Sequence, residues 1–438
     1  MPIWEFIKRV PPPELPLFTR VCQLRPVQRR SPNPAHRRSS TKPLALLCLL
    51  LAACGSDRSA ERYGFVTLLG HDTISVERVT RHADALVVDG VDRFPLVRLR
   101  HTEVALAPDG SIGRLEMDIR TPSAPSAKGR ERHFTAEITK DSLRVSVRDS
   151  SGLTSLSFAG NGALIMPHVP QMYSLIELYI AAALARGTAA GMTADDSVAV
   201  VQFYPDYGMD RFPIHDGYVR PLPGGHAEIW HDMLAGVGQA TLDSNRRLLA
   251  YSGEQSTYKV EVKRVTELPD VEAIGAQFAA TEHRTGAAQL SVRDTVRANI
   301  GAAQLMVDYG RPLARGRTLL GNVIRFGSVW RTGANAATQF STSLPISLAG
   351  LALAAGTYTL WTAPRAGGVA DLIVNRETGQ WGTGYDDARD LGTAPLKTET
   401  VTSAVEKFTI TIAPIDARRG ALIMEWGTFR WTAPIVVK

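Results

Sequence analysis

VRLRHTEVALAPDGSIGRLEMDI, residues 97–119, decides the fold class of this chain. Val97 and Leu99, then Val104 and Leu106, alternate loosely with polar residues. After Pro108-Asp109-Gly110-Ser111, Leu115, Met117 and Ile119 alternate strictly with Glu116 and Asp118. A strand sends successive side chains to opposite faces, so this period of two predicts strands with one apolar face, and the Pro-Asp-Gly turn joins them as an antiparallel hairpin. The pattern returns in Phe134–Ile138, the turn Lys140-Asp141-Ser142 and Leu143–Val147, and Val260, Val262 and Val265 close the region.

One stretch breaks the period. Met172, Leu175, Ile176, Tyr179, Ile180, Ala183 and Leu184 fall at helical spacing. They predict one helix, ended by Gly187, lying against the concave side of a curled sheet. Beyond Leu290, short apolar runs separated by Gly and Pro (355–361, 370–375, 408–413, 421–426) predict a β-sandwich. The fold class expected is therefore mainly β: an N-terminal curled antiparallel sheet with one packed helix (63–265), a linker (266–289) holding an amphipathic helix over 271–280, and a C-terminal β-sandwich (290–438). The N-terminal half is like the curled sheets of periplasmic carrier lipoproteins at the level of fold, which says little about function.

The N-terminus predicts export. Arg29, Arg30, Arg37, Arg38 and Lys42 precede the apolar run Leu44 to Leu51, and Leu51-Ala52-Ala53-Cys54 follows. Basic, apolar and small residues in that order make a secretory signal, and its end resembles the lipobox of bacterial lipoproteins. That resemblance implies a lipid on Cys54 as lipid-attachment residue, cleavage before it, and, with Gly55 next, an outer membrane location facing the periplasm. Cys22 and Cys48 lie in the leader, so the 385 residues from Cys54 onward hold no other thiol. Of 49 basic and 43 acidic residues, the first 53 positions hold nine and two, which leaves 40 and 41. A near-neutral exported body excludes nucleic acid as a partner.

A distinctive string begins at Arg315-Gly316-Arg317 and continues through Phe326-Gly327-Ser328-Val329-Trp330-Arg331-Thr332-Gly333-Ala334-Asn335-Ala336-Ala337-Thr338. Ala355-Gly356-Thr357-Tyr358, Asn375, Gln380-Trp381-Gly382 and Tyr385-Asp386 follow in order. The series resembles the bacterial family called domain of unknown function 2911, over roughly 290–438. The family usually has Glu where Ala336 stands, so a role for that carboxylate does not carry over. The resemblance implies a domain boundary and a candidate surface, without a reaction.

Physically, Arg317, Trp330, Arg331, Asn335, Thr338, Trp381 and Tyr385 form the candidate ligand-binding set. Arginine forks suit carboxylate or phosphate, and tryptophan faces suit sugars and rings. The opposing reading makes them scaffold: Arg331 paired with Asp386 or Asp387, Asn335 in a turn, and tryptophans in the core. No catalytic residue, cofactor or metal site is predicted. His226 and His231 flank Glu228 at a spacing that suits neither a helix face nor a strand face. The domain from Leu290 onward has no His and no Cys. The expected function is a cell-envelope lipoprotein that binds or scaffolds. Its partners are the membrane through the lipid, and a protein, glycan or anionic small molecule. The alternative is an envelope hydrolase or carbohydrate-active enzyme using Asp386 or Asp387 with Arg331.

Overall fold

The computed structural model describes residues 60–93, 95–193, 196–203, 205, 215–231, 236–286 and 290–438. The signal-like segment and Cys54 lie outside the described residues. The protein is mainly β, as its periodicity predicts. Fifteen strands form one sheet over 61–265. Eight run as consecutive hairpins from Glu61–Leu69 out to Gly152–Ala159 at one edge. The remaining seven run from Leu164–Pro167, at the other edge, to Glu261–Val265, which pairs antiparallel with Glu61–Leu69 and joins the two meanders. The hairpin at 97–119 is present, with Leu99 opposite Arg120 and Leu106 opposite Ile112.

A short helix α1 (Ala127–Arg130) caps a connection within the first meander. The pair Leu164–Pro167 and Val198–Phe203 is parallel, and a parallel pair needs a long crossover. Helix α2 (Tyr173–Ala189) supplies it. Its apolar residues face all ways, and Leu175, Leu178, Tyr179, Ile180 and Ala183 are buried in the main core of the sheet. Gly187 does not end this helix. It sits inside the last turn, against Val198, and the left-handed residue that stops the chain is Gly191 at φ 72°.

Two carboxylates fix α2. Its N-cap residue, Met172, offers no side-chain acceptor, so Glu77 from the neighbouring strand takes that place. Its carboxylate accepts from the backbone N–H of Tyr173 (2.5 Å) and Ser174 (3.2 Å) and from the Ser174 hydroxyl. Burial outweighs these bonds and pushes the Glu77 carboxyl up to about 7. Glu177, fully buried on α2, accepts from Tyr63 Oη (2.6 Å), Arg264 (3.0 Å), Arg247 (3.1 Å) and the Leu248 N–H (3.0 Å).

Helix α3 (Val271–Thr285) begins at Asp270, whose side chain accepts from the Ala273 N–H. It runs five residues past the predicted end and stops at Gly286, φ 76°. Val271 and Phe278 pack on Val76, Val91 and Val97 in a small core of their own.

The C-terminal part is two sheets face to face, of six and four strands. Tyr309, Phe340, Leu360 and Leu372 of one meet Phe408, Leu422, Met424 and Trp431 of the other. One connection stands out. Between strands Ala303–Pro312 and Thr338–Thr342 the chain runs from Leu313 to Ala337 without a named strand or helix. So long an irregular connection in a compact domain needs tertiary support and is commonly functional. Backbone bonds between Trp330 and Thr362 (2.7 and 2.9 Å) tie it to the edge of strand Gly356–Pro364.

Candidate functional site: a cationic cleft between the two sheet systems

The connection 313–337 faces the turn between strands Leu248–Ser252 and Glu261–Val265 of the first sheet. Between them lies a cleft of about 440 Å³. Arg317, Arg325, Trp330, Arg331 and Asn335 line it from one side, and Gln255, Ser256, Tyr258 and Lys259 from the other. Trp426 closes part of the wall, stacked on Trp330 with centroids 5.9 Å apart and planes 11° apart. The turn is held from within. The Ser256 hydroxyl accepts from the Tyr258 N–H (3.0 Å), and Gly253 and Val260 pair across its base.

Hydrogen bonds and an ion pair join the units. The His71 N–H donates to the Arg315 carbonyl at 3.0 Å, reinforced by an Arg315–Asp72 ion pair at 3.3 Å. Gly70, φ 63°, leaves room for this approach, since a Cβ there would fall on the Arg315 carbonyl. At the cleft, Arg325 donates to the Glu254 carbonyl at 3.1 Å.

The electrostatics lean to one sign. Lys259, Arg317, Arg325 and Arg331 all line the cleft, and among the described residues no Asp or Glu lines it, while Glu254 acts on Lys259 and Glu406 on Arg317 from outside the lining. Their polar contacts are to carbonyl oxygens. Arg317 donates to Ala314 (3.0 Å) and Leu313 (2.6 Å), Arg331 to Asn335 (3.2 Å), and Lys259 to Glu254 (2.7 Å). Among the described residues none of the four forms an ion pair. Desolvation pushes the Arg331 guanidinium down to about 10, and burial also lowers Arg317, with Arg315 adding repulsion. Burial, then Arg325 and to a lesser degree Arg317 and Arg331, push the Lys259 amine down to about 8, with Glu254 partly opposing.

Gly382 shapes this corner. Its N–H donates to the Asn335 carbonyl (2.9 Å), and a side chain there would fall on Arg331 Cδ and Nε. Asn335 and Thr332 take left-handed φ of 63° and 51°, which turns the loop back on itself.

The seven predicted residues therefore divide. Arg317, Trp330, Arg331 and Asn335 come together in the cleft. Thr338, fully buried, donates to the Thr332 carbonyl at 2.7 Å. Trp381 pairs through its backbone with Ala336, and Tyr385 packs on Trp361 (5.0 Å) and donates to Asp390 at 2.5 Å. These three hold the loop from behind. Asn375 belongs with them, donating to the Asp386 carbonyl (2.7 Å) and Asp390 (2.8 Å). Asp386 accepts from the Ala388 N–H and faces Arg389 at 3.7 Å; neither it nor Asp387 lines the cleft with Arg331. Glu228 is bound by Tyr218 and Arg220, and among the described residues no three His, Cys, Asp or Glu side chains gather to hold a metal. Sequence reasoning missed Lys259 and Arg325. Lys259 reaches the cleft only through tertiary folding, whereas Arg325 lies inside the distinctive string.

The fold and site define a class: a mainly β protein of two sheet systems with a cationic cleft between them. Residues 291–435, about a third of the chain, match the family described as "Protein of unknown function (DUF2911)". That span supplies the loop of the cleft and its supporting sandwich. Comparison with curated proteins returns no match. Among solved structures, a DUF1089 family protein from Pseudomonas aeruginosa is similar at 12% identity and a TM-score of 0.31, over 42% of this chain and 93% of that one, a likeness too slight to bear on fold or function.

Proposed function

We propose that this protein is a lipid-anchored binding protein of the cell envelope whose cleft takes an anionic small molecule. The observation that carries the binding reading is the set of four cationic side chains around one cleft with no acidic residue among the described residues of its lining. Like charges gathered in a half-buried site raise the free energy of the empty protein, and an anion removes that cost while satisfying forked guanidinium donors. Trp330 and Tyr258 line the cleft beside the charges, and such aromatic lining suits an anion with a planar or sugar portion. The envelope part rests on Leu51-Ala52-Ala53-Cys54 and its basic and apolar prelude. Among the described residues no helix is long and apolar enough to cross a membrane. Attachment in this reading is by the lipid on Cys54.

Two experiments test the two parts. Calorimetric titration of the full chain with citrate and with inorganic phosphate is expected to show saturable binding that Arg331→Gln weakens about 10- to 100-fold, the cost of one charge-assisted contact. Equal affinity in the variant overturns the binding site. Metabolic labelling with palmitate is expected to mark the protein and to fail in Cys54→Ser; equal labelling overturns the anchor.

A further inference from the structure

The anionic site contains an amine, and its surroundings differ from those of an ordinary surface lysine. Lys259 Nζ and Arg325 Nη2 donate to the same Glu254 carbonyl oxygen, at 2.7 and 3.1 Å, so one acceptor holds two cationic heads together. Arg317 and Arg331 line the same cleft, and no carboxylate pairs with Lys259 among the described residues. Burial and the neighbouring guanidinium groups oppose the protonated amine more than Glu254 favours it, and a neutral amine can keep a hydrogen bond to the Glu254 carbonyl while presenting a lone pair. Desolvation beside other cations is the recognised route to a nucleophilic lysine.

We infer that Lys259 is a nucleophile toward anionic carbonyl compounds, forming an imine with a 2-oxo acid whose carboxylate is held by the cleft arginines. The inference rests on the proposed anion site and adds a covalent step to it. The neutral amine attacks the ketone carbon: a C–N bond forms, the carbonyl π electrons pass to oxygen, and that oxygen takes a proton from water while the nitrogen returns one proton to the hydroxide so formed. In the carbinolamine the C–O bond then breaks, the hydroxyl leaves with the second amine proton as water, and the nitrogen lone pair completes the C=N bond of a neutral imine. Amine plus ketone balance imine plus water, and no oxidant or reductant is consumed. The arginines contribute twice, by holding the carboxylate and by adding to burial in lowering the amine's hold on its proton. With its proton released near pH 8, about half of Lys259 is neutral at that pH, whereas an ordinary lysine is almost wholly protonated.

The test uses the full chain, pyruvate as probe and borohydride, which reduces an imine to a stable amine detected by peptide mass spectrometry. At pH 8, reductive labelling is expected on Lys259 at least about 10-fold faster than on the exposed Lys263 and Lys407, because its neutral fraction is far larger. Arg331→Gln is expected to slow labelling of Lys259 and leave the other two unchanged. Labelling spread evenly over exposed lysines overturns the inference. Lactate, which has the same carboxylate but no ketone, separates the two claims. If calorimetry shows lactate and pyruvate binding in the cleft while Lys259 stays unlabelled, the nucleophile is wrong and the anion site stands. If neither acid binds and Lys259 is unlabelled, the inference fails together with the site's claim to small carboxylates.

Discussion

Replacing Glu77 with glutamine is expected to change how the stability of helix α2 depends on pH, by an amount the structure sets. Glu77 is wholly buried and caps the helix through two backbone N–H groups and the Ser174 hydroxyl. Its carboxyl, ordinarily near 4.5, is pushed up to about 7 by desolvation. The folded state therefore holds its proton more tightly than the unfolded chain. The resulting stabilisation is fully present below about pH 4.5 and is lost as pH rises through about 7. Between those limits the loss is about 1.4 kcal/mol per pH unit, or about 3 kcal/mol in all. Glutamine keeps the shape and one acceptor and does not titrate. Hydrogen exchange across Tyr173–Ala189 in the full chain, compared between parent and Glu77→Gln from about pH 4 to pH 8, isolates this carboxyl from all others. The parent is expected to lose about 3 kcal/mol of opening free energy relative to the variant over that range. A difference that stays flat with pH, or that grows in favour of the parent as pH rises, refutes the reasoning.

Other perturbations act on single features. Glu177→Ala leaves Arg247 and Arg264 facing an empty buried position, and is expected to destabilise the first sheet by about 3–5 kcal/mol in urea unfolding. Gly70→Ala puts a methyl on the Arg315 carbonyl and demands a left-handed alanine, so small-angle scattering is expected to show a larger radius of gyration as the units part. Gly382→Ala puts a methyl on Arg331 and on the Asn335 carbonyl, and is expected to weaken phosphate binding about 10-fold while hydrogen exchange in the first sheet system stays unchanged.

The sheets were legible because their signal is local. Period two with a Pro-Asp-Gly turn needs only neighbouring residues, and the hairpin at 97–119 has its expected pairing. The body of α2 was legible for the same reason, but its end was not. Gly187 reads as a stop until Val198, folded against it, supplies the reason for a missing side chain. The extra turn of α3 carries polar residues, and Glu282 is used there to accept from the Val97 N–H at 2.6 Å, a contact across 185 positions.

The site divides along the same line. Arg317, Trp330, Arg331 and Asn335 lie within one loop, so their grouping was visible in the string itself. That Thr338, Trp381 and Tyr385 face away was not, because their positions depend on which sheet edge the loop joins. Lys259 comes from a turn of the first sheet system, outside the matched family span, and becomes part of the cleft only when the two units dock.

If the cleft between the sheet systems is an anion site, a crystal of the full chain soaked in bromide, with bromide located by anomalous scattering, will reveal it. An ordered bromide is expected within contact of Arg317, Arg331 or Lys259, displaced when phosphate is added. Bromide found only at exposed surface residues, with none in the cleft, would contradict it.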